Sequence, residues 1–148
     1  MKFDSLARNT PAAIRQRASK VQVSHLGTDE VDPLGQADLF AVTSGKGNYL
    51  AWVFIDERGD CKVSCACGSF VYFLETVLAS KGASVVLYSN GAPPVEKNPL
   101  QRAYLCKHLY KIWLGRAKYK IEYHPPEPEF EEEPEEEMEE EPEDGGVL

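Results

Sequence analysis

No stretch of about 18 apolar residues occurs in the 148-residue chain, so a membrane-spanning helix is not expected. Met1 to Pro11 lacks the apolar run of a secretory leader, which points to a reducing compartment, cytoplasmic or within a virion. The signatures of catalysis are missing too. There is no G-x-S-x-G elbow to present a nucleophilic serine, and carboxylates before residue 125 are few and scattered. Gly45-Lys46 lacks the upstream glycine and the following Ser or Thr of a phosphate-binding loop. An enzyme, and with it a small-molecule substrate, is therefore not expected.

Charge is very unevenly distributed along the chain. Of the 24 Asp and Glu residues, 13 lie in residues 125–148, where there is no Lys or Arg. The remaining 11 face all 16 basic residues in 1–124, a net of +5 on the body of a protein whose overall charge is −8. Prolines at 125, 126, 128, 134 and 142 bar a continuous helix there. Few bulky apolar residues punctuate the tail, so burial cannot offset its ordering entropy and 125–148 reads as a disordered acidic tail. It serves solubility, or it docks on a basic partner or on the protein's own basic face. Phe130 and Met138 are then the candidate protein-docking anchors.

What the body does contain is Cys65-Ala-Cys67 and, after 38 intervening residues, Cys106-Lys-His108. Three thiolates and one imidazole are the ligand set of a closed tetrahedral zinc site. Positions i and i+2 point to nearly opposite sides of a helix, so neither pair can serve one ion from inside a regular helix. Each pair must sit in extended or turn backbone or straddle the start of a helix, and the chain must fold back to unite them. The bland alternative is that these cysteines are simply small buried residues. In a reducing compartment the clustering favours Zn²⁺ bound by Cys65, Cys67, Cys106 and His108. Cys61 lies two pleats from Cys65 on the same strand face and reads as a buried or half-exposed thiol outside the site. His25 and His124 each stand alone in polar sequence and read as isolated surface histidines.

This C-x-C…C-x-H arrangement resembles the SWIM-type zinc finger, over roughly Tyr49 to Arg116. Trp52-Val53-Phe54 and Asp60-Cys61-Lys62-Val63 are similar to its hairpin. Small bacterial or bacteriophage-encoded members are the form it most resembles, and the long spacer is the departure. What the resemblance implies is zinc binding in the service of nucleic-acid or protein contact, without catalysis.

The pattern predicts an α+β fold. A small antiparallel sheet is tied by the Cys₃His zinc site to a C-terminal helix, with an extra helix in the spacer. Residues 1–36 read as a basic N-terminal arm and loop, 37–124 as the zinc-binding domain and 125–148 as the tail. Thr10-Pro11 looks like a helix start, with the helix ending near Ala18. The five basic residues among 1–20 are either a phosphate-touching arm or ordinary terminal charges. Val21–Ser24 is a short strand, His25 to Gln36 a loop, and Ala37–Thr43 and Tyr49–Ile55 are strands. Residues 56–60 make a hairpin loop that returns through a strand over Cys61–Cys65. Phe70, Phe73, Leu74, Val77 and Leu78 share one face of a helix closed by Lys81-Gly82. Ser84–Ser89 is a further strand candidate, and residues 90–99 a proline-rich loop. Cys106 stands at the entrance of a last helix reaching about Lys118, with Leu105, Leu109, Ile112 and Trp113 repeating along it.

Two functions compete. Lys107, Lys111, Arg116, Lys118 and Lys120 give residues 103–124 a net of +4, either a solvated helix face or a nucleic-acid surface. Tyr104, Tyr110 and Trp113 either stack on bases or pack in the core. A net of +5 is weak for a nucleic-acid binder. The reading preferred here is a non-catalytic zinc scaffold docking in a larger protein assembly, viral or otherwise. The alternative is a nucleic-acid-binding zinc finger regulated by its acidic tail.

Overall fold

Alternation of apolar and polar side chains builds the sheet. In a computed structural model, which describes residues 1–45, 47–89, 91 and 98–126, four strands follow one another as an antiparallel meander. They are β1 (Gln22–Val31), β2 (Gly35–Ser44), β3 (Gly47–Ile55) and β4 (Cys61–Cys65). Register pairs Phe40 with Ala51, Ala51 with Cys65 and Val53 with Val63, so these residues line one face. All of them are buried, together with Val42 and Cys61. The fold is thus α+β, as the sequence predicts, with β2, β3 and β4 close to their expected limits.

The first strand corrects the sequence reading. Where a loop over residues 25–36 is expected, β1 runs on to Val31 and turns into β2. Gly27 does not break it. At φ +99° this glycine sits at a bulge between His25 and Gly27 that absorbs one extra residue. Polar Thr28, Asp29 and Glu30 are tolerated because β1 is an edge strand and largely exposed.

The N-terminal residues are structured as well. α1 (Phe3–Arg8) buries Phe3, Leu6 and Ala7, a one-sided apolar set at i, i+3 and i+4. α2 (Ala12–Arg17) follows, with Pro11 and not Thr10 at its capping position. The Thr10 hydroxyl is used elsewhere. It donates to the Leu6 carbonyl (2.9 Å) and accepts from the Leu105 amide (3.1 Å), joining the end of α1 to the chain just before Cys106.

The spacer holds α3 (Gly68–Phe73) and α4 (Glu75–Ser80) where the periodicity predicts one helix. The break falls at Leu74 (φ −122°), yet the apolar stripe survives: Phe70, Leu74, Val77 and Leu78 are all buried. The strand expected over 84–89 does not form. The Ser84 hydroxyl donates to the Val63 carbonyl, and the amides of Tyr88 and Ser89 turn instead to the buried Glu75 carboxylate (3.1 and 2.8 Å). Two of its amides are thus spent on a side chain, and the backbone bond to β4 at this end runs from the Val63 amide to the carbonyl of Ala83, just before the segment.

α5 (Lys107–Leu114) buries His108, Leu109 and Ile112, and the continuous helix expected to about Lys118 bends at Gly115 into α6 (Arg116–Tyr119). Tyr104, Tyr110 and Trp113 are half-buried against the core, as the packing alternative holds. Among the described residues no helix is long and apolar enough to cross a membrane. The acidic tail beyond Pro126, with Phe130 and Met138, lies outside the described residues.

Candidate metal centre

Each ligand pair sits where strand or loop becomes helix, which is how residues two apart come to face one point. Cys65 ends β4, and Cys67, in extended backbone (φ −71°, ψ 154°), is the N-cap of α3. Cys106, also extended (φ −72°, ψ 169°), is the N-cap of α5, and His108 lies in its first turn. The three sulfurs and one imidazole nitrogen fall within 4.8 Å of one another. Cys65, Cys67, Cys106 and His108 are respectively 0, 4, 3 and 1 % exposed, and the last three form part of the wall of an open cleft.

The surroundings orient the ligands. His108 turns Nδ1 toward the cysteines, 3.8 Å from Cys65 Sγ, while Nε2 shares a 3.0 Å hydrogen bond with the Ser44 hydroxyl. With Nδ1 given to an ion, Nε2–H donates to Ser44 and fixes both tautomer and ring plane. Tyr49 packs against the ring at a tilt (centroids 5.3 Å apart). The Phe70 amide donates to Cys67 Sγ at 3.4 Å, so one sulfur serves both the cluster and the start of α3. Nothing in the spacing announces Ser44, since it lies 64 residues from His108.

Electrostatics shows what the cluster lacks. Hydrogen bonds from Cys106 and then Cys65 pull the Cys67 thiol well down against the opposing effect of burial. For Cys65 the bond with Cys106 acts to lower its pKa, but the bond with Cys67, burial and the Cys67 charge carry it up. Burial, followed by the bonds with Cys65 and Cys67, raises Cys106. Three crowded thiols cannot all ionise without a positive charge among them. A dication supplies that charge, and the four groups fit a metal ion in number, chemistry and spacing. Cys61 is outside the cluster: it is 1 % exposed, and burial pushes its thiol up to about 12.

The basic residues named from sequence divide between different hollows where their linings are described. Lys107 borders an open cleft of about 680 Å³ beside the metal centre. Arg116 and Lys120 line a separate hollow with Lys2 and Arg8, where Asp4 and Glu122 also sit. Arg116 is engaged there. Its Nε lies 3.4 Å from Asp4, its Nη1 donates to the Trp113 carbonyl, and its guanidinium covers the Trp113 ring at 3.9 Å. Lys111 falls in the last turn of α5, and Lys118 is exposed beside Tyr119.

The two remaining histidines are not isolated. His25 Nε2 lies 3.0 Å from one oxygen of Asp38, and His124 Nε2 lies 2.9 Å from the other. The Asp38 side chain is 2 % exposed, and Phe40 and Tyr119 pack beside His25. The carboxylate thus ties β1, β2 and the segment after α6 together. The sequence hides this because the three residues are distant and alternation marks Asp38 only as one polar position in an apolar strand.

Comparison with known proteins finds no match. No family model, no curated protein and no solved structure corresponds to this chain. The geometry of the Cys₃His cluster is therefore the chief guide to what the protein does.

Proposed function

We propose that the chain is a non-catalytic zinc module that acts as an interaction scaffold in a larger assembly, in the manner of a small SWIM-type zinc finger. The observation that carries this reading is the burial of all four ligands. Three thiolates and an imidazole select a soft or borderline ion in tetrahedral geometry, and zinc suits that set best. With four protein ligands no coordination position is left for water, so the ion supplies no Lewis-acid or hydroxide chemistry. What it does supply is connection, since it joins the end of β4 and the start of α3 to the start of α5.

The scaffold reading also draws support from the separation of Lys107 from Arg116 and Lys120, because the nucleic-acid alternative needs a continuous basic face. Arg116 is paired with Asp4, and its hollow does not share a wall with the cleft that Lys107 borders. The test is metal analysis of the purified full chain followed by chelation. One zinc per chain, with far-ultraviolet circular dichroism lost on its removal, is the expected result. A chain that keeps its spectrum and melting temperature after complete removal of the metal overturns the structural role.

A further inference from the structure

We propose that the cleft beside the metal centre is the docking site of the chain's own acidic segment, residues 127–148. The cleft is walled by Arg17 of α2 and Lys107 of α5, with the hydroxyls of Ser44 and Ser69 between them. A neighbouring hollow of about 570 Å³ shares Arg17, Ser44 and Lys107 and adds Lys20, so the two form one basic channel. Neither hollow has an Asp or Glu among the described residues of its lining. Among the described residues, Arg17, Lys20 and Lys107 make no ion pair. They are cations with no described partner, held around a concave surface.

Two other hollows give the contrast. The one lined by Lys2, Arg8, Arg116 and Lys120 contains Asp4 and Glu122, and Lys2 and Arg116 are paired with Asp60 and Asp4. The one lined by Tyr123, His124 and Pro126, where the described chain ends, contains Glu30, Asp56 and Glu57 and repels an acidic segment. The basic channel is the place among these where a carboxylate-rich peptide gains charge pairs without facing a described Asp or Glu. Its three cations outnumber the net −1 that three thiolates and a dication would place on the wall formed by Cys67 and Cys106.

Residues 127–148 supply that peptide, with 13 acidic and no basic side chains in 22 residues. Extended at about 3.3 Å per residue they reach roughly 70 Å, several times the radius of gyration of about 14 Å for a domain of this size. Reach is therefore no obstacle. The cleft also has apolar walls from Ile14, Phe73 and Leu74, which suit Phe130 or Met138 spaced among the glutamates. The docking goes beyond the scaffold reading and does not depend on which metal fills the centre.

Zero-length carbodiimide cross-linking of the full, metal-loaded chain, read by mass spectrometry, tests the assignment. Carboxylates of 127–144 are expected to join Lys107 and Lys20 several-fold more often than Lys62, Lys81, Lys118 or Lys120. Mixing isotope-labelled with unlabelled chain separates docking within one molecule from docking between two. Arg17→Glu, an exposed position on α2, is expected to lower the Lys107 yield several-fold while leaving the Lys118 yield unchanged. Raising salt from about 50 to about 500 mM, which shortens the screening length to a few ångströms, is expected to act in the same direction. Equal yields at all lysines, or yields at Lys107 indifferent to Arg17→Glu, overturn the proposal. So does a full chain without these cross-links that instead binds single-stranded DNA at Lys107, which gives the channel to nucleic acid.

Discussion

The protein buries polar groups in two places and treats them in opposite ways. At one end of α5, three thiols and the His108 imidazole converge with no positive charge among them. On the sheet face farther along β2, Asp38 accepts from two imidazoles that its own chain provides. Asp38 is complete as it stands, since each carboxylate oxygen has a ring nitrogen at hydrogen-bond distance. The thiol cluster is not, because its members are weak donors that compete for protons and shift one another's pKa. Burial of polar side chains is common to both, so burial alone does not mark a ligand site. The balance of donors and acceptors does.

The strongest challenge to this contrast is removal of the ion or of one ligand. Chelation, or Cys106→Ser, is expected to cost on the order of 10 kcal/mol and to unfold the region around residues 49–116. A retained circular dichroism spectrum would erase the distinction between the two clusters. Next comes Asp38→Ala, which strands His25 and His124 and removes two hydrogen bonds to a buried carboxylate. The expected loss is about 2–4 kcal/mol by denaturant titration, with zinc content unchanged. If Asp38→Ala also releases the metal, the two sites are one cooperative unit. Ser44→Ala sharpens the comparison from the other side. It leaves the ligands but frees the His108 ring, and competition with a chelator is expected to show roughly 10- to 100-fold weaker metal affinity in a folded chain.

Cys61, outside both sites, gives the control. Its thiol is held up to about 12 by burial, whereas the same thiol in the unfolded chain titrates near 9.0. A raised value favours the protonated form, so its contribution to stability is complete below pH 9 and is lost as pH climbs toward 12. At pH 8 the folded chain holds roughly a thousandfold less Cys61 thiolate than the unfolded one. Alkylation of Cys61 in the folded protein is expected to be much slower than that of the unfolded chain, since burial both withholds the thiolate and blocks access. A fast reaction would place Cys61 at the surface.

The ligand set was legible because its logic is local. C-x-C and C-x-H carry their own geometry, and both pairs stand at helix entrances as the i, i+2 spacing demands. The strands β2 to β4 were legible for the same reason, since period-two alternation is written within each one. What escaped was written between segments. α1 is six residues long with no side-chain cap, and its helicity comes from docking Phe3, Leu6 and Ala7 in the core. β1 is polar because it is an edge, and Ser84–Ser89 fails as a strand because a carboxylate on α4 takes its amides. Asp38, Ser44 and Thr10 look like ordinary polar residues until their distant partners are in place.

Thr10 has a bearing on how the chain comes to be made. Its hydroxyl waits for the Leu105 amide, 95 residues later, and Asp4 waits still longer for the Trp113 indole, 109 residues away. During synthesis the N-terminal helices therefore emerge long before the segment on which they rest. Loop closure over such separations is slow, and it precedes any reward from the contacts themselves. The cluster gains its last side chain only when residue 108 has left the ribosome, so its completion and the seating of α1 converge late in the birth of the molecule. Up to that moment the Cys₃His group is incomplete, and an ion that needs all four side chains finds them only in a nearly finished chain.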